Sequence, residues 1–102
     1  MNNKTYIWKT SSVLKETGDT MTIIFETDGE CFTYKAGQFL NVQQKIGEEI
    51  VSRSYSLSSS PAADDRPAIT IKKVKGGKMG NHVFQNFESI QNWKLNGPLG
   101  AF

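Results

Sequence analysis

The sequence predicts an all-β fold, a small antiparallel barrel of five or six short strands with a single short helix. β-branched and aromatic residues recur in short runs, such as MTIIFET at residues 21–27, and such runs favour strands. Turn-forming residues, for example at residues 17–20, separate the runs. Only residues 80–87 place apolar side chains, among them Val83 and Phe87, on one face of a helix. Strands without intervening helices indicate an antiparallel barrel rather than a parallel α/β sheet.

Turn signals bound each predicted strand. Residues 17–20 join the first two strands as a hairpin, and residues 46–49 form a short reversal between the third and the fourth. A polar loop with two prolines, residues 58–67, precedes the fifth strand, and a pair of glycines at residues 76–77 ends it. The predicted strands are residues 5–14, 21–27, 39–42, 50–57, 68–74 and 93–95.

The composition bounds the class of protein. A chain of 102 residues with 37% hydrophobic and 22% charged residues is typical of one soluble globular domain. The formal net charge of +2 is too small to indicate a polyanionic partner. Basic residues gather at one turn, residues 72–78, instead of alternating with aromatic residues over an open face. We therefore expect no nucleic-acid partner.

Other residue types argue against several kinds of site. The chain has no run of 18 apolar residues and no apolar core of a secretory signal at its N-terminus, so we expect a cytoplasmic protein without a membrane partner. The only cysteine, Cys31, excludes an internal disulfide or a cysteine-rich metal site, and we expect it buried or half-buried. We interpret His82 as a surface or capping residue, and we expect Trp8 and Trp93 to fill the barrel or cover its edge.

The segment Arg53-Ser54-Tyr55-Ser56 carries the clearest chemical signal. Arg53 offers a planar fork of donors for phosphate oxygens, and Tyr55 offers an aromatic face on which an isoalloxazine ring can lie. On a strand these two side chains share one face, and Ser54 points to the other. Ser56 can then present its hydroxyl or its backbone N–H to an edge nitrogen of the ring. Taken alone, the segment is equally compatible with a solvated strand end.

A second segment, GGKMG at residues 76–80, lies between a predicted strand and the predicted helix. A glycine-rich turn that enters a helix exposes backbone N–H groups, with the positive end of the helix dipole behind them. Such a turn suits a pyrophosphate, although a flexible turn in a basic loop is the alternative. The stacking aromatic, the arginine and the anion-binding turn together favour a flavin nucleotide.

Four segments resemble motifs of the ferredoxin-NADP reductase superfamily. RSYSLSSSP at residues 53–61 resembles its Arg-x-Tyr-Ser/Thr motif, and GGKMGN at residues 76–81 resembles its Gly-Gly-x-x-Ser motif. KAGQF at residues 35–39 and GPLGAF at residues 97–102 resemble its Gly-Gln-Phe/Tyr and Gly-Pro-x-Gly-x-Phe motifs. They follow the family order over about residues 5–102. The chain is thus similar to the FAD-binding domain of this superfamily, which includes phenylacetate-degradation, phthalate-dioxygenase-type and cytochrome b5 reductases.

The resemblance implies a six-stranded antiparallel Greek-key barrel of the riboflavin-synthase-like type over residues 1–102, which binds FAD. It places Arg53 on the pyrophosphate, Tyr55 on the isoalloxazine ring and Ser56 near flavin N5, and it brings residues 71–72 to the flavin through their backbone. Residues 77–80 cradle the pyrophosphate. The implied cofactor-binding residues are Arg53, Ser54, Tyr55, Ser56, Ile71, Lys72, Gly77, Lys78, Met79 and Gly80.

Gly80 departs from the family motif, which has Ser or Thr at this position. A lost hydrogen bond to a charged group costs about 1.5–3 kcal/mol if nothing compensates for it. We therefore expect weak FAD binding, unless Lys78 or Asn81 replaces the missing hydroxyl.

The resemblance also implies the reaction. NAD(P)H gives a hydride to the flavin, and the flavin passes electrons to an acceptor such as an iron-sulfur domain or protein. NAD(P)H binds in an α/β domain that follows the Gly-Pro-x-Gly-x-Phe segment and is absent from this chain. We therefore expect the flavin domain of an NAD(P)H-dependent oxidoreductase, unable to turn over alone. The alternative is a non-catalytic barrel module with weak or lost FAD affinity that binds another anionic ligand or a partner.

Overall fold

The computed structural model describes residues 4–60 and 66–100 of the chain. Within these ranges it has six strands and one short helix, so the predicted all-β class with a single helix is confirmed. The elements in chain order are β1 (Lys4–Lys15), β2 (Thr20–Glu26), β3 (Phe39–Ile46), β4 (Glu49–Ser56), β5 (Ala68–Lys72), α1 (Lys78–Asn86) and β6 (Trp93–Leu99).

The six strands form one antiparallel sheet in the order β4-β3-β6-β1-β2-β5. The last strand in the chain lies between β1 and β3, as in a Greek key. The two edge strands approach each other where Leu57 and Ile69 form an isolated antiparallel bridge. Beside this bridge the Ser58 N–H donates to the Ala68 carbonyl at 2.8 Å. The sheet therefore curls into a barrel whose edges β4 and β5 are joined at one end.

Several elements differ from their predicted bounds. β3 continues to Ile46 instead of ending at residue 42, and β5 ends at Lys72 instead of residue 74. The helix begins at Lys78, two residues before the predicted start, and β6 continues to Leu99 instead of ending at Leu95. Gly97 reads as a turn residue in the sequence, yet it lies buried inside the sheet. An added Cβ at this position would lie 3.1 Å from the Leu40 side chain. The glycine thus permits close packing inside the strand and does not end it.

The core fills the barrel with alternate side chains from each strand. Trp8 and Trp93 are 2% and 0% exposed, which confirms that they fill the barrel. Each indole N–H has a partner: Trp93 donates to Thr10 Oγ1 at 2.7 Å, and Trp8 donates to Glu30 Oε1 at 2.9 Å. These bonds let large aromatic side chains be buried without an unpaired donor. Other fully buried side chains are those of Phe25, Met21, Ile23, Leu40, Ile69, Ile71, Met79, Leu95, Val42 and Val83.

Gln38 links three segments that are distant in the sequence. Its side-chain Oε1 accepts from the Lys35 N–H at 2.9 Å, and its Nε2 donates to the Gly100 carbonyl at 2.7 Å. Its backbone carbonyl accepts from the Leu57 N–H at 2.9 Å. One residue therefore holds the turn before β3, the end of β4 and the segment after β6 together.

Gly80 lets α1 pack directly on the end of β5. The residue is buried, and an added Cβ would lie 2.8 Å from the Lys72 carbonyl oxygen and 3.1 Å from the Lys73 Cα. Both neighbours are backbone atoms, which cannot move aside as a flexible side chain can. A serine at this position would direct its side chain into β5, so the close packing gives a physical reason for the departure from the family motif.

We expect Gly80→Ser to lower the free energy of unfolding by about 1–3 kcal/mol, the usual cost of overpacking. Urea denaturation followed by tryptophan fluorescence measures the change. Gly18→Ser is the matched control, because nothing lies within 4 Å of a Cβ added there. A Gly80→Ser chain as stable as the native one would show that α1 moves away from β5 without cost.

Gln38→Ala should lower the free energy of unfolding by about 1–3 kcal/mol, because it removes two side-chain hydrogen bonds. Gln38→Glu keeps an acceptor for the Lys35 N–H but sets a carboxylate oxygen against the Gly100 carbonyl, so we expect a loss at least as large. Gln85→Ala, at an exposed position of α1, serves as the control in the same urea titration. Equal stability of all four chains would remove the linking role from Gln38.

Candidate functional site

β4 carries the predicted segment and alternates as expected. Val51 and Leu57 are buried, and between them on the same face lie the exposed Arg53 and the half-buried Tyr55. Ser54 is exposed and takes the opposite face. The predicted shared face of Arg53 and Tyr55 is therefore the inward face of β4.

Arg53 is exposed on an inward face because the barrel is open beside it. After the bridge between Leu57 and Ile69 the two edge strands are not paired. Helix α1 packs against β3 and β4 at this side, and its Gly80 contacts the end of β5 at Lys72. The result is a gap, which we call the β4–β5 gap: Arg53 and the Tyr55 ring line one side, Lys72 lies on the other, and the first turn of α1 lies at its end.

The backbone of Ser56 also faces this gap. The Leu57 N–H donates to Gln38 in the segment leading into β3, and successive N–H groups of a strand point to opposite edges. The N–H of Ser56 therefore points to the edge that faces β5. Its side chain lies on the face opposite Tyr55, so the geometry favours its N–H over its hydroxyl toward a ring stacked on Tyr55.

The start of α1 has the features that suit an anion. Within the described part of the chain, Gly77 at the N-cap makes no side-chain cap hydrogen bond, and the first turn carries no acidic residue. The first N–H groups of a helix have no partner inside it and stand at the positive end of its dipole. The Asn81 amide donates to the Val74 carbonyl at 3.0 Å and to the Gly77 carbonyl. Asn81 therefore fixes the turn, and its amide hydrogens are not free to replace a missing hydroxyl at position 80.

One carboxylate lies beside the cations of the site. Lys78 Nζ is 2.5 Å from Glu49 Oε1, at the start of β4. The hydrogen bond and the charge of Lys78 hold the pKa of Glu49 below its usual value, and the more distant Arg53 acts in the same direction. Arg53 donates from Nη1 to the neighbouring Ser52 carbonyl at 2.7 Å.

The other lysines of the basic turn have separate surroundings. Lys73 Nζ lies 5.3 Å from the centre of the Phe84 ring. The pKa of Asp19 is lowered chiefly by hydrogen bonds from Thr17 and Thr20, and the charge of Lys72 contributes to the shift. The basic residues that are close together in the sequence therefore do not form one continuous patch.

Tyr55 presents an uncharged aromatic ring. Burial raises the pKa of its phenol above the ordinary value, and the nearby positive charge of Arg53 opposes part of that shift. The phenol is therefore neutral at physiological pH. Its ring packs partly against the core, which restricts its motion and leaves one side for a ligand.

Two predicted site residues have buried side chains and can offer a ligand only their backbone. The side chain of Ile71 is 0% exposed and that of Met79 is 2% exposed, so both belong to the core. For Ile71 this agrees with the expected backbone role. Lys72 and Lys78 are exposed, whereas Gly77 is half-buried and Gly80 is buried.

Sequence reasoning missed Glu49 and misplaced Cys31. Glu49 was assigned only to a reversal, and its contact with Lys78 joins residues 29 positions apart, which no local pattern reveals. Cys31 is exposed, so the expected burial is wrong: it lies outside the strands, in the segment between β2 and β3. His82 is half-buried on α1, where the Asn86 amide donates to its carbonyl at 2.9 Å.

Parts of the predicted motifs lie outside the described residues. These are Pro61 of the motif at residues 53–61, which runs from β4 into the following loop, and Ala101 and Phe102 of the motif at residues 97–102. Among the residues that the structure describes, no three His, Cys, Asp or Glu side chains gather as metal ligands. In those same ranges no helix is long and apolar enough to cross a membrane.

The donors of the β4–β5 gap fit FAD. A pyrophosphate needs cationic and N–H donors, which Arg53, Lys78 and the start of α1 supply. An isoalloxazine ring needs a flat apolar surface and a donor at its edge, which Tyr55 and the N–H of Ser56 supply. Among the residues described around the gap, Glu49 is the group whose charge opposes an anionic ligand.

Comparison with known proteins gives the same family. The profile of the oxidoreductase FAD-binding domain family matches residues 9–102. The glycine betaine monooxygenase reductase subunit of Pseudomonas aeruginosa is 37% identical over 101 residues, which are 98% of this chain and 28% of that protein. The ferredoxin reductase component of 3-ketosteroid-9-alpha-monooxygenase from Rhodococcus rhodochrous is 35% identical over 106 residues, with 98% of this chain and 30% of that protein covered. The chain thus spans less than a third of the length of either relative.

Solved structures share the fold. The ferredoxin reductase in carbazole 1,9a-dioxygenase matches 98% of this chain and 30% of its own, with a TM-score of 0.81 at 24% identity. The FAD/NAD-binding domain of nitric oxide dioxygenase from Vibrio cholerae matches 95% of this chain and 44% of its own, with a TM-score of 0.82 at 19% identity. Four sequence motifs, the barrel and these relatives agree: the chain belongs to the oxidoreductase FAD-binding domain family of ferredoxin-reductase-type proteins.

Proposed function

We propose that this chain holds FAD in the β4–β5 gap and serves as the flavin domain, residues 1–102, of an NAD(P)H-dependent oxidoreductase. One observation carries the assignment of the site: Arg53 and Tyr55 share the inward face of β4, opposite the uncapped start of α1. A cation, an aromatic surface and free helix N–H groups therefore surround one opening.

Each part of FAD has a counterpart in the gap. Arg53 and the backbone at the start of α1, residues 77–80, hold the pyrophosphate, and Lys78 adds a second cation. The N–H of Gly77 donates to the Val74 carbonyl at 3.0 Å, so the N–H groups that face the ligand are those of residues 78–80. The ring of Tyr55 supports the isoalloxazine, and the N–H of Ser56 faces its edge. Residues 71–72 contribute backbone groups from β5. The side chain of Ser54 lies on the opposite face of β4, so Ser54 contributes only as part of the strand that presents Arg53 and Tyr55.

When bound, FAD accepts a hydride and releases electrons singly or in pairs. The chain's own residues bind the cofactor, orient its ring and neutralise its phosphates. We propose that NAD(P)H binds in a following α/β domain, because the relatives are more than three times as long as this chain. The reductase roles of those relatives in monooxygenase systems support an oxygenase-linked acceptor, such as an iron-sulfur domain or protein. A cytoplasmic location remains a prediction from the sequence.

The alternative of a non-catalytic barrel that binds another ligand is not favoured. The relatives that match nearly the whole chain are reductase components of oxygenase systems. The buried Gly80 also replaces the family hydroxyl for a packing reason and leaves the N–H groups of α1 in place. The same replacement predicts that FAD binds less tightly than it would with the hydroxyl.

Arg53→Ala should weaken FAD binding about tenfold or more, because a charge-assisted hydrogen bond to phosphate is lost. Quenching of flavin fluorescence during titration of FAD with protein measures the affinity. Arg66→Ala is the matched control, since Arg66 is an exposed arginine whose ion-pair partner is Glu26, away from the gap. Equal losses from the two substitutions, or none from Arg53→Ala, would remove Arg53 from the site.

Tyr55→Ala should weaken FAD binding by about 1–3 kcal/mol, the usual worth of stacking on an aromatic side chain. Tyr55→Phe keeps the ring and removes only the hydroxyl, so its affinity should stay near the native value. The same fluorescence titration compares the three chains, and urea denaturation checks that each is folded. If Tyr55→Phe bound FAD as weakly as Tyr55→Ala, the role of Tyr55 would be a hydrogen bond from its phenol and not stacking.

A further inference from the structure

We propose that Glu49 is a positioning residue that holds Lys78 away from the pyrophosphate and thereby lowers the affinity of this chain for FAD. The inference rests on the proposed FAD site and concerns a residue that no motif of the family includes. Glu49 has the opposite charge to every cation of the site, so it competes with the anionic ligand for them.

Glu49 lies close to the cations of the proposed site. It starts β4, and strand alternation puts it on the same face as Arg53 and Tyr55. Its Oε1 accepts a hydrogen bond from Lys78 Nζ at 2.5 Å. The carboxylate therefore holds the ammonium group of the first residue of α1, the same group that a pyrophosphate oxygen would contact.

Among the described residues that line the gap, Arg53, Lys72 and Lys78 carry positive charges and Glu49 carries a negative one. The net positive charge of two is one lower than it would be without this carboxylate. FAD must break the contact between Glu49 and Lys78, or bind with Lys78 still engaged. Either outcome makes binding weaker than it would be in the absence of this carboxylate.

The contact can be broken readily. The side chains of Glu49 and Lys78 are 59% and 53% exposed, and exposed ion pairs are weak and screened by salt. Glu49 therefore moderates the affinity instead of closing the site.

The test compares native, Glu49→Gln and Glu48→Gln chains in the fluorescence titration with FAD. Glu48 is exposed and next to Glu49, and its substitution changes the net charge equally without touching Lys78. We expect Glu49→Gln to bind FAD about two- to fivefold more tightly at low salt. The gain should shrink when salt reduces the Debye length from about 30 Å to about 8 Å. Glu48→Gln should remain close to the native affinity.

A second pair of variants tests whether Glu49 acts through Lys78. Lys78→Gln should weaken FAD binding, and Glu49→Gln added to Lys78→Gln should change it no further. An independent gain in the double variant would assign Glu49 to direct repulsion of the ligand, and would overturn its positioning role. Glu49→Gln that binds FAD as the native chain does, or more weakly, would overturn the inference while the FAD site stands. Absence of FAD binding by every chain would overturn the site itself, and the inference with it.

Discussion

The contact of Gly80 with the end of β5 is the constraint on which the rest of the site depends. Because the first turn of α1 lies against backbone atoms of Lys72 and Lys73, its direction and distance from the barrel are fixed. The same contact brings the uncapped start of the helix to the β4–β5 gap. A side chain at position 80 would press on these backbone atoms, so α1 would have to shift away from β5.

The four sequence motifs divide between two tasks in this fold. The segments around Gln38 and Gly100 are joined by side-chain and backbone hydrogen bonds of Gln38, which also reach Leu57. They hold the end of β4 in place. The segments at residues 53–56 and 77–80 supply the groups that face a ligand. Two of the four motifs thus hold the barrel together, and the other two supply groups that face a ligand. All four are widely spaced in the sequence.

Local sequence patterns predicted most of the fold and one part of the candidate site, the face that Arg53 and Tyr55 share. Strands followed from β-rich runs between turn residues, and the shared face of Arg53 and Tyr55 followed from alternation. The continuation of β6 through Gly97 depends on its close approach to the Leu40 side chain, which a residue without a Cβ allows. The contact between Glu49 and Lys78 depends on the packing of α1 against β4. Both arise from packing between elements distant in the chain, so no local window of the sequence contains the information.

Charge at the site is balanced in a way that leaves the fold unaffected. Exposed ion pairs contribute little to stability, so the contact of Glu49 with Lys78 can be kept or lost with little change in the barrel. The barrel is instead stabilised by the buried aromatic core and by backbone contacts such as that of Gly80. Affinity for an anionic cofactor can therefore vary through single exposed charges on β4 and α1, while the geometry that presents Arg53 and Tyr55 remains unchanged. Cofactor affinity and barrel stability can vary separately because the charged residues of the open gap lie outside the core. Only such residues can change charge without disturbing the packing of the core.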